Sequence, residues 1–428
     1  MALEELKAEH LASRRGGEVA VCTAHPEVLA AAIELAAANG RPLLVEATAN
    51  QVNQFGGYTG MTPARFIAFL NAIADRLGFA RDRLVIGADH LGPYLWRSEP
   101  AAAAMAKAAE LARRCVAAGF AKIHLDTGFG CRDDAGPILP PAAAAERAVA
   151  LCRACEAEAA RLPAGRRRPL YVIGAEVPLP GGALEQPEAV EPTRPEELAE
   201  FLGLAQKGFR LAGLEAAWER VLAVIVQPGV EFGDAGVVRY APDRARALSD
   251  FHAELPGIMT YEVHSTDYQL PEALAQMTAD HFTLLKVGPC LTHAFREAVF
   301  ALEQIEVELL KERRAAAPSD LRRVMEELML NHPAHWRSHY RGSEEELRRK
   351  RLSSRLDRIR YYWALPEAQA ALERLYRNLA PSVPAELAAT YFPEASGMPE
   401  TGSRGLGAAQ LVRRRIQTEL EPYALACR

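Results

Sequence analysis

Leu84-Val85-Ile86-Gly87-Ala88-Asp89-His90-Leu91-Gly92-Pro93 starts apolar, turns polar and then meets a Gly-Pro step. An apolar run of this length, closed by glycine and proline, reads as a buried strand that ends in a loop. The Asp-His pair at its end sets an acid/base carboxylate beside an imidazole able to ligate a metal. A single such pair is also satisfied by backbone carbonyls, so its meaning depends on whether the pattern recurs.

It recurs through the first two thirds of the chain. Apolar runs that turn polar lie at Glu18–His25, Pro42–Glu46, Leu84–His90, Lys122–Asp126, Tyr171–Glu176, Leu222–Gln227, Ile258–His264 and Thr283–Gly288. Alanine-rich stretches with helical spacing separate them, such as Glu27–Gly40, Pro63–Gly78 and Ala101–Gly119. Hydrophobic strands alternating with helices indicate a parallel sheet covered on both faces. Eight such units predict a closed (β/α)8 TIM barrel, whose usual size is about 250 residues. A closed barrel gathers every strand's C-terminal end around one pocket. Glu46, Asp89, His90, Asp126, Glu176, Gln227, His264 and Lys286 are therefore expected to converge there.

Composition narrows the function classes. The chain has 428 residues, 49% of them hydrophobic, and a net charge of −5. That is room for a barrel and a further module, without the cationic excess that marks nucleic-acid binding. No apolar run approaches the ~20 residues of a membrane span. Seven cysteines without framework spacing suggest a reducing cytoplasm. Cys152 and Cys155 lack the partners of a zinc site and read as helix residues. After Leu291 the pattern turns helical, with Ala388–Phe392 as one further strand-like run. The expected division is a barrel over 1–295 and a helical region over 296–428 that packs on the barrel or on a partner subunit. Its segment Arg351–Trp363 mixes arginines with aromatics and is expected to dock on one of these surfaces.

Longer motifs carry a family resemblance. They are Glu46–Pro63, Gly87–Pro93, Glu176–Gly182, Val226–Phe232, His264–Gln269 and Leu285–Pro289, continuing into Arg358–Trp363. Together they resemble the bacterial tagatose-bisphosphate aldolase second-subunit family, and through it the class II aldolases. Members are described as the non-catalytic, stabilising subunit of a class II aldolase, and some relatives as metal-dependent epimerases of fructose and tagatose. By the aldolase resemblance Asp89 matches a proton-transfer carboxylate and His90 and His264 match metal ligands. Glu176 matches an acidic strand end near the metal, with both a ligand and a catalytic role. Two departures stand out. Gln227 occupies a position where an aldolase has a ligating histidine, and is expected to serve as a ligand itself. Ser265-Thr266-Asp267 replaces the Gly-Gly-Ser that cradles phosphate, and Asp267 would repel a phosphate there.

A kinase does not fit, because the chain has no G-x-x-x-x-G-K-[ST] loop. A nicotinamide enzyme does not fit either, since Gly405–Gln410 lacks the full dinucleotide fingerprint. A purely structural subunit gives no physical reason for so many ionisable groups in one pocket. The sequence therefore points to an isomerase that epimerises D-fructose and D-tagatose at C4, using a divalent ion such as Zn, Mn, Co or Ni. In a ketohexose the C4 hydrogen is not acidified by the C2 carbonyl, so breaking C3–C4 is the easier route. Asp89 is the expected base, and Glu46, Asn53, Asp126, Glu231, Asp267 and Lys286 are expected to contact the sugar. A homo-oligomer is expected, and a class II aldolase catalytic subunit is the alternative partner.

Overall fold

A computed structural model describes residues 3–13, 16–163, 165–174, 190–311, 317–398 and 405–428. Its centre is a closed barrel of parallel strands: β1 Glu18–Cys22, β2 Leu43–Thr48, β3 Leu84–Leu91, β4 Lys122–Asp126, β5 Leu170–Gly174, β6 Val221–Val226, β7 Thr260–Val263 and β8 Leu284–Val287. Each strand pairs with its sequence neighbours, and β1 closes the cylinder on β8 with Glu18 opposite Leu284. β6, Val-Leu-Ala-Val-Ile-Val, is buried along its whole length, as a strand covered on both faces must be.

One helix follows each strand: α1 Pro26–Ala38, α2 Pro63–Arg76, α3 Ala101–Ala118, α4 Pro141–Ala159, α5 Pro195–Leu211, α6 Pro242–Phe251, α7 Pro271–Ala279 and α8 Pro289–Leu310. All but α3 begin on proline, and α3 follows Pro100. Proline needs no donor partner in the first helical turn, and its fixed φ starts the turn cleanly. Cys152 and Cys155 lie buried in α4 as free thiols. α8 runs across residue 295, where the sequence was divided.

After α8 the described residues are mainly helical, with one short antiparallel pair, Val383–Pro384 against Gly405–Leu406. Ala385–Tyr391 is a helix, which corrects the strand expected over Ala388–Phe392. The two alanines in that stretch favour helix. The last helix, Ala408–Ala426, packs against α1, α7 and α8. A short turn of 3-10 helix, Arg358–Tyr362, reaches the barrel mouth. Asp357 fixes it in place: its carboxylate accepts from Arg296 of α8 at 2.9 Å and from Thr292 at 2.6 Å. The Arg296 and Asp357 side chains are both fully buried. Among the described residues no helix is long and apolar enough to cross a membrane.

The left-handed backbone at Asp357 (φ 48°) tolerates asparagine. Asp357→Asn therefore isolates the charge. Arg296 would keep only the half-exposed Glu297 as a counter-ion, and the fold is expected to lose stability, with about 3–5 kcal/mol as the ceiling, read from the midpoint of urea unfolding.

Candidate active site

The site begins with a local irregularity in β3. Side chains alternate across a strand, so Asp89 and His90 cannot both face inward on a regular ladder. The β3–β4 register shifts between Ala88 and Leu91, and His90 takes φ 52°. One extra residue and a left-handed step turn both side chains toward the barrel axis. A non-glycine residue in that region is strained, and such strain concentrates at functional sites. Gly92 then passes directly against the Asp126 carbonyl, where a Cβ would lie 1.6 Å from the oxygen. Only glycine fits there.

Beneath Asp89 lies a ring of four buried charges. Lys122 Nζ is 2.6 Å from Glu46 Oε1 and forms a 2.5 Å ion pair with Glu262 Oε2. Lys286 Nζ is 2.7 Å from Glu46 Oε2 and 3.5 Å from Glu262 Oε1. Signs alternate around the ring, so each charge meets two opposites. Lys286 also pairs with Asp89. Burial alone would discharge both lysines, but Asp89 and Glu46 on one and Glu262 and Glu46 on the other hold their pKa values up. Burial likewise pushes Glu262 toward neutrality, and the two lysines reverse it, holding the carboxyl well below its usual range. Gly87 makes room for the ring, since a Cβ there would lie 2.8 Å from Glu46 Cγ.

Three histidines sit above the ring, each braced by a carboxylate. His90 Nδ1 is 2.8 Å from Asp126, His124 Nδ1 is 2.7 Å from Asp89, and His264 Nε2 is 3.1 Å from Glu262. In a neutral imidazole a carboxylate on one ring nitrogen makes it the donor and leaves the other as a lone pair. At His90 burial works against a second proton, but Asp89 and Asp126 outweigh it and raise the pKa, so an arriving cation would displace a proton there. The ring centres are 5.2, 5.0 and 5.4 Å apart. Imidazoles bound about 2.1 Å from one tetrahedral ion have ring centres roughly 5 Å apart. Ligand atoms of Asp89, His124, Glu262 and His264 already lie within 4.8 Å of one another. Among the described residues, His124 Nε2 and Asp126 Oδ1 are buried and have no hydrogen-bond partner. A buried lone pair without a partner is unfavourable, and a cation would satisfy it. Four carboxylates, Glu46, Asp89, Asp126 and Glu262, face two ammonium groups here, an excess of two negative charges with the imidazoles neutral. The donor set therefore fits a divalent ion. Burial and Lys286 push His264 down to about 3, which keeps it an unprotonated donor.

Other residues singled out in the sequence lie elsewhere. Gln227 does not offer its carboxamide oxygen to the cluster. That oxygen accepts the amides of Gly229 and Val230, each at 2.8 Å, and knits the loop after β6. The Asn53 side chain is likewise spent on the backbone of Ala49, Phe55 and Gly57. Glu176 falls outside the described residues. Asp267 lines the pocket, but its Oδ1 accepts the amides of Gly288 and Cys290 at the start of α8. Glu231 is buried beside it, with its carboxyl pushed up to about 7 by desolvation.

His124 and Lys122 are the central residues that strand-end reasoning passed over, while Glu262 was expected to add a functional group to the pocket. A period-two signal was present. Lys122, His124 and Asp126 alternate with Ile123 and Leu125, and Glu262 alternates with His264. In a barrel strand such a set shares the inner face. The pocket above these residues is also lined by Asn50, Gln51 and Tyr58 from the loop after β2, and by Arg360 and Tyr361 from the C-terminal turn.

The sequence matches the D-tagatose-1,6-bisphosphate aldolase subunit GatZ/KbaZ-like family over residues 3–428. The chain belongs to that family. A crystal structure described as a probable tagatose 6 phosphate kinase from Sinorhizobium meliloti 1021 is 40% identical, with a TM-score of 0.86. The match covers 96% of this chain and 100% of that one. A fructose-bisphosphate aldolase from Campylobacter jejuni matches at 12% identity and TM-score 0.44, over 91% of this chain and 94% of that one. In this GatZ/KbaZ-like chain Asp89, His90, His264 and Lys286 of the polar cluster line the pocket.

The geometry separates two sets of variants. His124→Ala is expected to abolish stoichiometric binding of Zn or Mn, and Gln227→Ala to leave it intact, as read by elemental analysis after dialysis. Lys122→Met tests the charge ring: it strands Glu46 and Glu262 beside one remaining lysine. An expected loss of about 3–5 kcal/mol would appear in chemical denaturation.

Proposed function

We propose that this chain is a metal-dependent isomerase that interconverts D-fructose and D-tagatose by inverting C4. The observation that supports this reading best is the triad of carboxylate-braced imidazoles beside a further carboxylate, Asp89, in one polar pocket. A divalent ion held by His90, His124 and His264 would supply Lewis-acid stabilisation of negative charge developing on the sugar's C2 and C3 oxygens.

The chain's own residues do the rest. Asp89 Oδ1 already accepts from the His90 amide and His124, and pairs with Lys286. Its Oδ2 is the oxygen left for substrate. Burial works against ionisation of Asp89, but His90 while it carries a proton, and Lys286 throughout, hold it well below the usual carboxylate range, so it is ionised at neutral pH and able to accept a proton. It takes the proton from the C4 hydroxyl. The C3–C4 bond then breaks, its electrons collapse into a C2–C3 enediolate, and an aldehyde remains at C4. The aldehyde turns, and the enediolate carbon adds to its other face. Asp267 fills the amide cradle at the start of α8 with an internal carboxylate. A hexose end without phosphate therefore suits that side of the pocket.

The family's description as an aldolase subunit favours a second reading, in which the chain stabilises a class II aldolase catalytic subunit. A homo-oligomer and a cytoplasmic location accompany both readings; the free thiols accord with a reducing compartment. One assay distinguishes them. Under the first reading the purified chain, supplied with Mn, Co, Ni or Zn, converts fructose to tagatose unaided. Failure in every metal, together with stabilisation of an added aldolase subunit, would establish the second.

Two outcomes follow from the bond-breaking route. Asp89→Asn is expected to retain metal and lose about 10²–10⁴-fold in turnover. In deuterated water the C4 hydrogen is expected to remain, because it never leaves its carbon. Deuterium at C4, detected by NMR of the product, would overturn the route.

A further inference from the structure

Inversion by cleavage and re-addition has a requirement that one base cannot meet. The C4 oxygen gives up its proton while facing Asp89. After the aldehyde has turned, the same oxygen points to the opposite wall of the pocket. The alkoxide formed on re-addition needs a proton from that wall. The route therefore calls for a second proton carrier away from β3.

The titratable residues lining the pocket narrow the choice. Lys286 pairs with Asp89, and Cys22 clusters with Glu46 and Asp89, so both belong to the Asp89 side. His90 and His264 belong to the metal triad. Asp267 is bound to the amides of α8. Tyr58 lies on the mouth side, but burial pushes its phenol up to about 12. Tyr361 remains, supplied by the turn that Asp357 pins over the barrel.

The surroundings of Tyr361 suit proton transfer. The Arg358 and Arg360 guanidinium carbons lie 4.5 and 4.7 Å from its ring centre. Arg360 Nη2 donates to its hydroxyl oxygen at 3.3 Å. The His335 ring stacks on it at 4.5 Å, and Tyr58 meets it edge-on at 4.6 Å. Tyr94 and Tyr362 are the other titratable groups that feel its charge. The nearest buried acid on this turn, Asp357, is paired with Arg296. Burial would raise the phenol's pKa, but the two arginines outweigh it and bring the value below that of an ordinary tyrosine. Two guanidiniums stabilise a phenolate, and a stabilised phenolate makes its phenol a better donor.

We propose that Tyr361 is the second catalytic proton carrier, giving its phenolic proton to the C4 oxygen after the aldehyde has turned. This rests on the retro-aldol reading above. The balance closes. Asp89 gains the proton of the first C4 hydroxyl, C3–C4 breaks and re-forms, and Tyr361 supplies the proton of the new hydroxyl. Solvent then discharges Asp89 and reprotonates the phenolate. In the reverse direction the two residues exchange roles.

The test uses the full chain loaded with Mn, each pure hexose and labelled glyceraldehyde. The wild-type protein should convert the sugars and place label in carbons 4 to 6 of both epimers. Tyr361→Phe keeps the ring and its stacking. Its expected signature is an unaltered melting temperature and metal content with conversion reduced by about 10²-fold or more. Label should still enter the one epimer whose C4 hydroxyl faces Asp89, and no longer enter the other. Conversion near the wild-type rate would overturn the assignment. Equal loss of labelling in both epimers would also overturn it, by making Tyr361 a structural residue. Wild-type protein that neither converts nor exchanges would overturn the epimerase reading and this assignment with it.

Discussion

Four alternating charges at the top of the barrel, Glu46, Lys122, Glu262 and Lys286, are the constraint on which the site rests. Most (β/α)8 barrels fill this level with branched aliphatic side chains. Here the space is polar, and desolvation is offset only because every charge touches two of opposite sign. The ring also carries the chemistry above it. Glu262 braces His264, and Lys286 holds Asp89 ionised. Side chains from β2, β4, β7 and β8 are thereby locked at fixed heights, and the three imidazoles inherit that rigidity. Support from rigid strands in this manner holds a site in its working geometry.

Much of this was legible in the sequence. Strand ends that turn polar are expected to meet in any closed parallel barrel, and Glu46, Asp89, His90, Asp126, His264 and Lys286 are indeed found together. The signal lost sharpness one step inside the strands. Lys122 precedes the expected polar end of its strand, and His124 is flanked by apolar neighbours, so each reads first as part of a hydrophobic run. Gln227 shows the opposite difficulty. A polar residue after an apolar run looks the same whether it faces the axis or ties its own loop, and only the positions of the Gly229 and Val230 amides decide. Asn53 repeats the lesson. Tyr361 could not be placed by strand logic at all, because its route to the pocket depends on a buried Arg296–Asp357 pair between segments far apart in the chain.

The strained step at His90 and the charge ring act together. A bulge that turns two consecutive side chains inward is tolerable only where both find partners. Asp89 finds Lys286 and His124, and His90 finds Asp126. The carboxylate proposed to move the proton and the imidazole proposed to hold the metal are thus neighbours in sequence and in space. Their spacing is set by one backbone distortion instead of by two independent loops.

The C-terminal turn at the mouth also bears on the order in which the chain is made. Every side chain of the imidazole triad and the charge ring has been synthesised by Lys286, whereas Arg360 and Tyr361 follow only after α8 and two further helices. The residues of the pocket floor thus precede those of its wall in the order of synthesis. The pocket is finished late, by a segment that must first bury Asp357 against Arg296. Completion of the pocket wall thus waits on synthesis of the tail, which also supplies the last helix, Ala408–Ala426, packed against α1, α7 and α8.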